Sequence, residues 1–267
     1  VDDGIQEVVL TGVHAAGYGS DQDSSLEELV AAVLADTRIE RLRLGSVEPW
    51  GLGERFWQLF ENPRLMPHLH LPLQSGCDSV LRRMARRCKT SDYARLVERA
   101  RRAAPRFNIT TDLIVGFPGE TDAEWAQSLA FVEEMSFGDL HIFNYSRRQG
   151  TRAAEMPDQV PGLVKRARSR ELHALGVRLK RDSLARQLGR VEPVLIEGDA
   201  SREIGPASVQ IGYTPSYQQV RVPTAGADLS NRILLVRIQG LSDPSGLGSG
   251  DRPEADLWLQ GVLLDEP

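Results

Sequence analysis

Ile109–Phe117 reads ITTDLIVGF and runs on into Pro118–Thr121, PGET. A short apolar run closed by glycine, followed by a polar pair that can cap a helix, reads as a strand handing the chain to a helix. The pattern repeats on both sides. Apolar runs at Glu7–Val13, Arg41–Val47, His68–Leu73 and Asp139–Tyr145 alternate with helical spacing over Ser25–Asp36, Ser79–Ala104 and Asp122–Met135, and a shorter piece surrounds Glu54–Phe60. Such alternation implies parallel strands with right-handed crossovers. Five strands suit a doubly wound sheet or a partial barrel, and in both the chemistry gathers at the carboxyl ends. Those ends are polar or glycine-bearing: Thr11-Gly12-Val13-His14, Ser46-Val47-Glu48, Gln74-Ser75-Gly76, Gly116 to Glu120, and Tyr145-Ser146-Arg147-Arg148.

Beyond residue 160 the grammar changes. A basic helix is expected from about Gly162 to Leu188, ended by Gly189. From Val191 onward five short strands follow without intervening helices, which suggests a small barrel of the OB-like kind, with residues 241–256 as a long surface loop. The expected organisation is 1–160 barrel portion, 161–190 basic linker helix and 191–267 small β-barrel.

The net charge of −5 speaks against a nucleic-acid binder, yet its distribution is uneven. Lys165–Arg190 holds nine basic residues against Glu171 and Asp182, and the tail beyond is acidic. Two cysteines, Cys77 and Cys88, are too few for a disulfide framework and fit a reducing, cytoplasmic setting. No run of about 18 apolar residues occurs, so no membrane partner is expected. The first residues do not resemble a signal peptide, and with no initiating Met the chain is expected to be part of a longer reading frame.

Several strings, in order, resemble the methylthiotransferases of the radical-SAM superfamily: LTGVH (Leu10–His14), RLGSVEP (Arg43–Pro49), HLHLPLQSGCD (His68–Asp78), MARR (Met84–Arg87), TTDLIVGFPGET (Thr110–Thr121), HIFNYSRRQGT (His141–Thr151) and AAEMPDQV (Ala153–Val160). The tail resembles the TRAM domain that follows the barrel in this family, through GYTPSYQQV (Gly212–Val220) above all. The implied fold is a partial (β/α) radical-SAM, TIM-like barrel followed by a small all-β OB-like TRAM domain. LTGVH, SVEP and TTDLIVGFPGET are most similar to the branch acting on threonylcarbamoyladenosine in tRNA. Isopentenyladenosine in tRNA and an aspartate of a ribosomal protein are the substrates of the other two branches.

The resemblance implies S-adenosylmethionine and [4Fe–4S] clusters as cofactors, with tRNA, an electron donor and a sulfur source as partners. The cluster loop of the family, Cys-x-x-x-Cys-x-x-Cys, and three further N-terminal cysteines have no counterpart in this sequence. Cys77 and Cys88 cannot replace them, since a cluster needs converging thiolates. A fragment inactive alone is therefore expected, and a cluster-free RNA-binding module is the alternative. No metal site of the chain's own is expected, since no histidine pair has convincing spacing.

The retained strand ends are implied to hold the cofactor. Gly12 would let backbone approach the methionine moiety, or be a simple turn. Ser46 and Glu48 would bond its ammonium or ribose, unless Glu48 caps a local loop. Gln74 and Ser75 suit ribose hydroxyls or the carboxylate, or satisfy their own turn. Asp112, inside an apolar strand, needs a partner, whether cofactor or ion pair. Val115 and Gly116 belong to the stretch that packs adenine. Of Phe143 and Tyr145, one is expected in the core and the other at the pocket mouth. His14 stands near the same place without an assigned role, and the catalytic residues are not identified. On the RNA side, Arg86 and Arg87 are read on one basic helix with Arg82, Arg83 and Lys89, Lys165 and Arg168 on another, and Arg148 at a strand end. Tyr213, Tyr217 and Trp258 are candidates to stack unpaired bases, at least one of them being buried instead.

Overall fold

The computed structural model describes residues 4–197, 202–204, 207–242 and 257–264. Five strands, β1 (Glu7–Leu10), β2 (Arg41–Leu44), β3 (His68–His70), β4 (Asn108–Val115) and β5 (Asp139–Asn144), run parallel in chain order. The β1–β2 ladder joins the β3–β4–β5 ladder through parallel bridges at Leu42–Leu65 and Ser46–His70. This is a half-barrel, and its two faces have opposite chemistry because side chains alternate along a strand. Leu42, Leu44, Leu69, Ile109, Leu113 and Leu140 pack into one core with the helices outside. Arg43, His68, His70, Thr110 and His141 face the other way and line the concave side.

The outer helices start where the sequence supplies caps. Ser25 Oγ accepts from the Glu28 amide at 3.2 Å to open α1 (Leu26–Asp36), and α2 is Glu54–Gln58. Thr121 and Glu124 form a reciprocal capping box for α5 (Asp122–Met135), which holds two otherwise orphaned amides. The single helix expected over Ser79–Ala104 is in fact two, α3 (Asp78–Arg83) and α4 (Thr90–Ala103). Ala85 at φ +57° ends the first, and Asp78 Oδ1 accepts from the Thr90 amide at 2.8 Å to begin the second. Arg86, Arg87 and Lys89 thus lie on the connector and do not share a helical stripe with Arg82 and Arg83.

After the short α6 (Arg152–Glu155), α7 (Gly162–Ala185) runs along β5, the edge of the half-barrel. Gly176 allows that approach, since a Cβ there would lie 3.3 Å from Leu140. The chain leaves the helix at Gly189, φ +78°. Six strands follow: β6 (Val191–Ile196), β7 (Arg202–Ile204), β8 (Ala207–Tyr213), β9 (Gln219–Pro223), β10 (Ile233–Leu241) and β11 (Leu259–Leu263). β6 pairs with both β10 and β8, so the order β6–β10–β11–β9–β8 closes on itself as a barrel-like ring, with β7 added to β8. β7 adds a sixth strand to the five expected, and most of the expected 241–256 loop lies outside the described residues. Val194, Ile196, Val220, Val236, Ile238 and Leu259 fill the ring, and Leu184 of α7 packs among them.

The ring closes the amino-terminal end of the half-barrel. Arg41, 3% exposed, donates to the carbonyls of Tyr213 (3.0 Å) and Pro193, and Arg43 donates to Pro215 at 3.0 Å. Both lean on Glu7, and burial pulls the Arg41 pKa down to about 10 despite that partner. Asn108 Nδ2 donates to Ser216 O at 2.8 Å, and Gln218 Nε2 to Ser183 Oγ at 3.0 Å.

Candidate functional site

The concave face encloses a cleft of about 440 Å³ between the parallel strands and the ring. Three adjacent strands supply its centre. His70 Nε2 and His141 Nδ1 each lie 3.2 Å from the same oxygen of Asp112, and the two imidazoles stack 5.1 Å apart. Thr110 Oγ1 is shared by His70 Nδ1 (3.0 Å) and His68 Nε2 (3.3 Å). Burial pushes the Asp112 carboxyl up, but its bonds to His141 and His70 outweigh this and hold it well below the usual carboxylate range. His68, fully enclosed, is pulled well below the usual imidazole range by burial and by the Arg43 charge. The ligand atoms of His70, Asp112 and His141 lie within 4.8 Å of one another, so this set has the composition to hold a metal ion. No metal spacing is visible along the chain because the residues are far apart in sequence; the available signal is polar residues on neighbouring strands.

At the carboxyl end of β4 the chain turns at Gly116, φ +74°. The Gly116 amide donates to Glu120 Oε2 at 2.9 Å, and Arg168 of α7 donates to the same oxygen at 2.8 Å and to Asp122 at 2.7 Å. Burial raises the Glu120 pKa, countered by Arg168. Lys165 lies across Gly116, where a Cβ would collide at 2.2 Å, and its Nζ donates to Tyr145 O at 3.0 Å. The guanidinium of Arg168, 6% exposed, is therefore spent inside the protein, and Lys165 is tied down beside it. Neither presents its charge to RNA phosphates as expected.

The other expected residues separate into groups. Gly12 is uncrowded, with no atom within 3.9 Å of a Cβ built there, and Ser46 lines the cleft. Phe143 is exposed while Tyr145 packs against Phe117. Glu48 is occupied by the β1–α1 loop: it accepts from His14 at 2.9 Å and from the Ala16 amide at 3.0 Å. Gln74 sits at φ +76° and is buried, bridging Leu113. Ser75, 2% exposed, bonds Ser128 Oγ of α5 at 3.0 Å, so its hydroxyl faces the outer core and not a cofactor. Val115 is fully buried and its carbonyl already accepts from the Tyr145 amide at 2.8 Å. Arg86, Arg87 and Arg148 are exposed. Tyr217, held at φ +59°, stacks between His68 and Tyr213 at 4.9 Å on each side, with Arg43 4.7 Å from its centroid. It nevertheless stays 47% exposed. Trp258 carries the Arg221 guanidinium over its ring at 3.5 Å.

A parallel half-barrel with glycine-turned, polar strand ends defines a class, and comparison with known proteins identifies it. Residues 1–132 match the family model described as the radical SAM superfamily. The chain is 36% identical to the threonylcarbamoyladenosine tRNA methylthiotransferase MtaB of Bacillus subtilis over 99% of its own length and 59% of that protein's. It is 45% identical to the protein of the same name from Thermotoga maritima, over 62% of this chain and 38% of that one. With the tRNA-2-methylthio-N(6)-dimethylallyladenosine synthase of Acidothermus cellulolyticus the identity is 41%, over 76% and 42%. Among solved structures, coproporphyrinogen III oxidase HemN from Escherichia coli shares the fold, with a TM-score of 0.55 at 16% identity, covering 79% of this chain and 54% of that one. The chain belongs to the radical-SAM methylthiotransferase family. It spans little more than half the length of the Bacillus subtilis relative.

The iron–sulfur chemistry of that superfamily needs several thiolates converging on one point. Cys77 is buried beside Val80 and Phe117 and contacts Ser79 and Gln127. Cys88 packs against the other core, and burial pushes its thiol up to about 11. The two cysteines of this chain do not fit a cluster. Of the strand-end residues, Ser46 lines the cleft, Gly12 is uncrowded and Phe143 is exposed.

Proposed function

We propose that the chain is the barrel and RNA-binding portion of a tRNA methylthiotransferase acting on threonylcarbamoyladenosine. The observation that carries the reading is similarity over 99% of this chain to a relative of that name, on a parallel half-barrel with a cleft between its concave face and the ring. In this reading residues 191–267 are a TRAM domain and 161–190 a linker helix. S-adenosylmethionine, when bound, supplies the methyl group and the radical source; the chain's own residues bind, orient and exclude water. Gly12, Ser46 and Phe143 would hold it, and Gly116 would keep its turn through Glu120 and Arg168. Asp112, already bonded to His70 and His141, would fix those imidazoles toward the substrate. Electron donor, sulfur source and cluster are contributions these residues do not make. Among the described residues no helix is long and apolar enough to cross a membrane.

The test grafts this chain onto the cysteine-bearing amino-terminal portion of a methylthiotransferase relative and reconstitutes it anaerobically. Mass spectrometry of tRNA nucleosides should show methylthio-threonylcarbamoyladenosine. Methylthio-isopentenyladenosine in its place would move the chain to the branch represented by the Acidothermus protein. Absence of either product from a cluster-loaded graft would favour a cluster-free RNA-binding module.

A further inference from the structure

A second cleft, of about 410 Å³, opens beside the seam between half-barrel and ring. Four arginines stand on its wall: Arg101 at the end of α4, Arg106 in the α4–β4 turn, and Arg186 and Arg190 just beyond α7. Only folding brings these three parts of the chain together. Their partners are few. Arg106 pairs with Glu192, Arg101 donates to the carbonyls of Met135 and Ser136, and Arg190 Nε donates to Arg186 O at 2.9 Å. Among the described residues no other carboxylate pairs with any of the four, so three positive charges remain uncompensated around one cleft. Their mutual repulsion is visible: after burial, Arg186 pulls the Arg101 pKa below its ordinary value, and Arg190 does so for Arg106. Like charges gathered in this way are stabilised by an anion that neutralises them together. The same wall holds Gln187, 3% exposed, whose Oε1 has no hydrogen-bond partner. An orphaned acceptor among arginines suits a ligand that brings a hydroxyl donor beside its negative charge, as a ribose 2′-hydroxyl lies beside a phosphodiester.

We infer that this cleft is a phosphodiester-binding site that takes the backbone of RNA at the seam between half-barrel and ring. The inference rests on the tRNA-modifying reading above and deepens it, because it places the RNA contact away from the basic stretches that the sequence makes conspicuous. Asn108, Ser183 and Gln218, which join the two halves, line the same cleft, so bound RNA would bridge the seam.

The experiment measures fluorescence anisotropy of labelled tRNA and of an oligouridylate of similar length, titrated with the full chain at several salt concentrations. The cleft variant is Arg186→Gln/Arg190→Gln, which breaks no ion pair among the described residues, and the control is Arg38→Gln/Arg55→Gln, two exposed arginines outside the cleft. Circular dichroism and the thermal midpoint verify that both fold. Losing two phosphate contacts should lower the slope of log K against log salt by about 1.4–1.8 and weaken binding about ten-fold near physiological salt. The control should change little. An unchanged slope in the cleft variant, or an equal loss in the control, overturns the inference while leaving tRNA binding intact. A wild-type chain that binds neither RNA also overturns it. Cleft-dependent binding of both RNAs without preference for tRNA upholds the site and removes support from the tRNA reading.

Discussion

The two ends of the half-barrel are fastened by opposite means. At the carboxyl end a buried carboxylate, Glu120, is held between the Gly116 amide and Arg168, a partner 48 residues away. At the amino end Arg41 and Arg43 reach carbonyls 172 residues away and the Tyr217 ring fills the space between. The first arrangement buries both ions and depends on every member; breaking such a pair leaves a charge with no water to solvate it. The second spreads its load over carbonyl bonds and ring contacts, each worth less. One end should therefore fail all at once and the other by degrees.

Four measurements would break or sharpen that contrast, the strongest first. Arg168→Met should cost about 3–5 kcal/mol in urea unfolding, and Glu120→Gln in the same chain should recover much of it. If the single variant costs under about 1 kcal/mol, the carboxyl end is not held as described. Arg43→Met should cost about 2–3 kcal/mol, by losing the Pro215 bond and leaving Glu7 to Arg41 at 3.7 Å. Its unfolding followed at Trp258 should precede that followed at Trp125 if the ring detaches first. Tyr217→Ala should cost about 2 kcal/mol, and Tyr217→Gly less, because glycine relieves the positive φ. Equal costs for the two would show that the backbone there carries no strain.

The smallest effect is a pH dependence. His68 stays neutral in the fold, so below about pH 6.5 the unfolded chain binds a proton that the folded chain refuses, and stability declines as pH falls. The slope from this group is at most about 1.4 kcal/mol per pH unit, and His68→Phe should flatten the curve between about pH 6.5 and 5. Glu124 adds a separate acid limb. Its bonds from Arg83 lower it to about 2, so the stability it contributes above pH 4.5 is lost as pH falls through that value.

Much of this architecture was legible along the chain because its cause is local. Ser25 and Thr121 announce their helices by the amides they cap, and apolar alternation along ITTDLIV separates the core side from the cleft side. The ring was legible as a small barrel of five strands but not in its pairing, in which β6 meets both β8 and β10. What escaped the sequence depends on distance in space. Arg168 looks like any other member of a basic stripe until Glu120 is placed against it, and RLRL at Arg41–Leu44 reads as an ordinary strand although its arginines fasten the ring. Tyr217 carries the same ring whether it stacks on a base or on His68. The four arginines of the seam cleft are scattered over ninety residues and stand out only once folded.

Helix α7 touches both ends. Arg168 fixes the turn after β4, while Ser183 bonds Gln218 of the ring, and the fifteen residues between them span about 22 Å of rigid helix. A rod of that length is a lever. A tilt of about 5° at the ring would displace the Arg168 end by about 2 Å, more than a hydrogen bond tolerates. Any macromolecule that grips the ring and leans on it thus has a handle on the geometry of Gly116, on the far side of the barrel, without touching it.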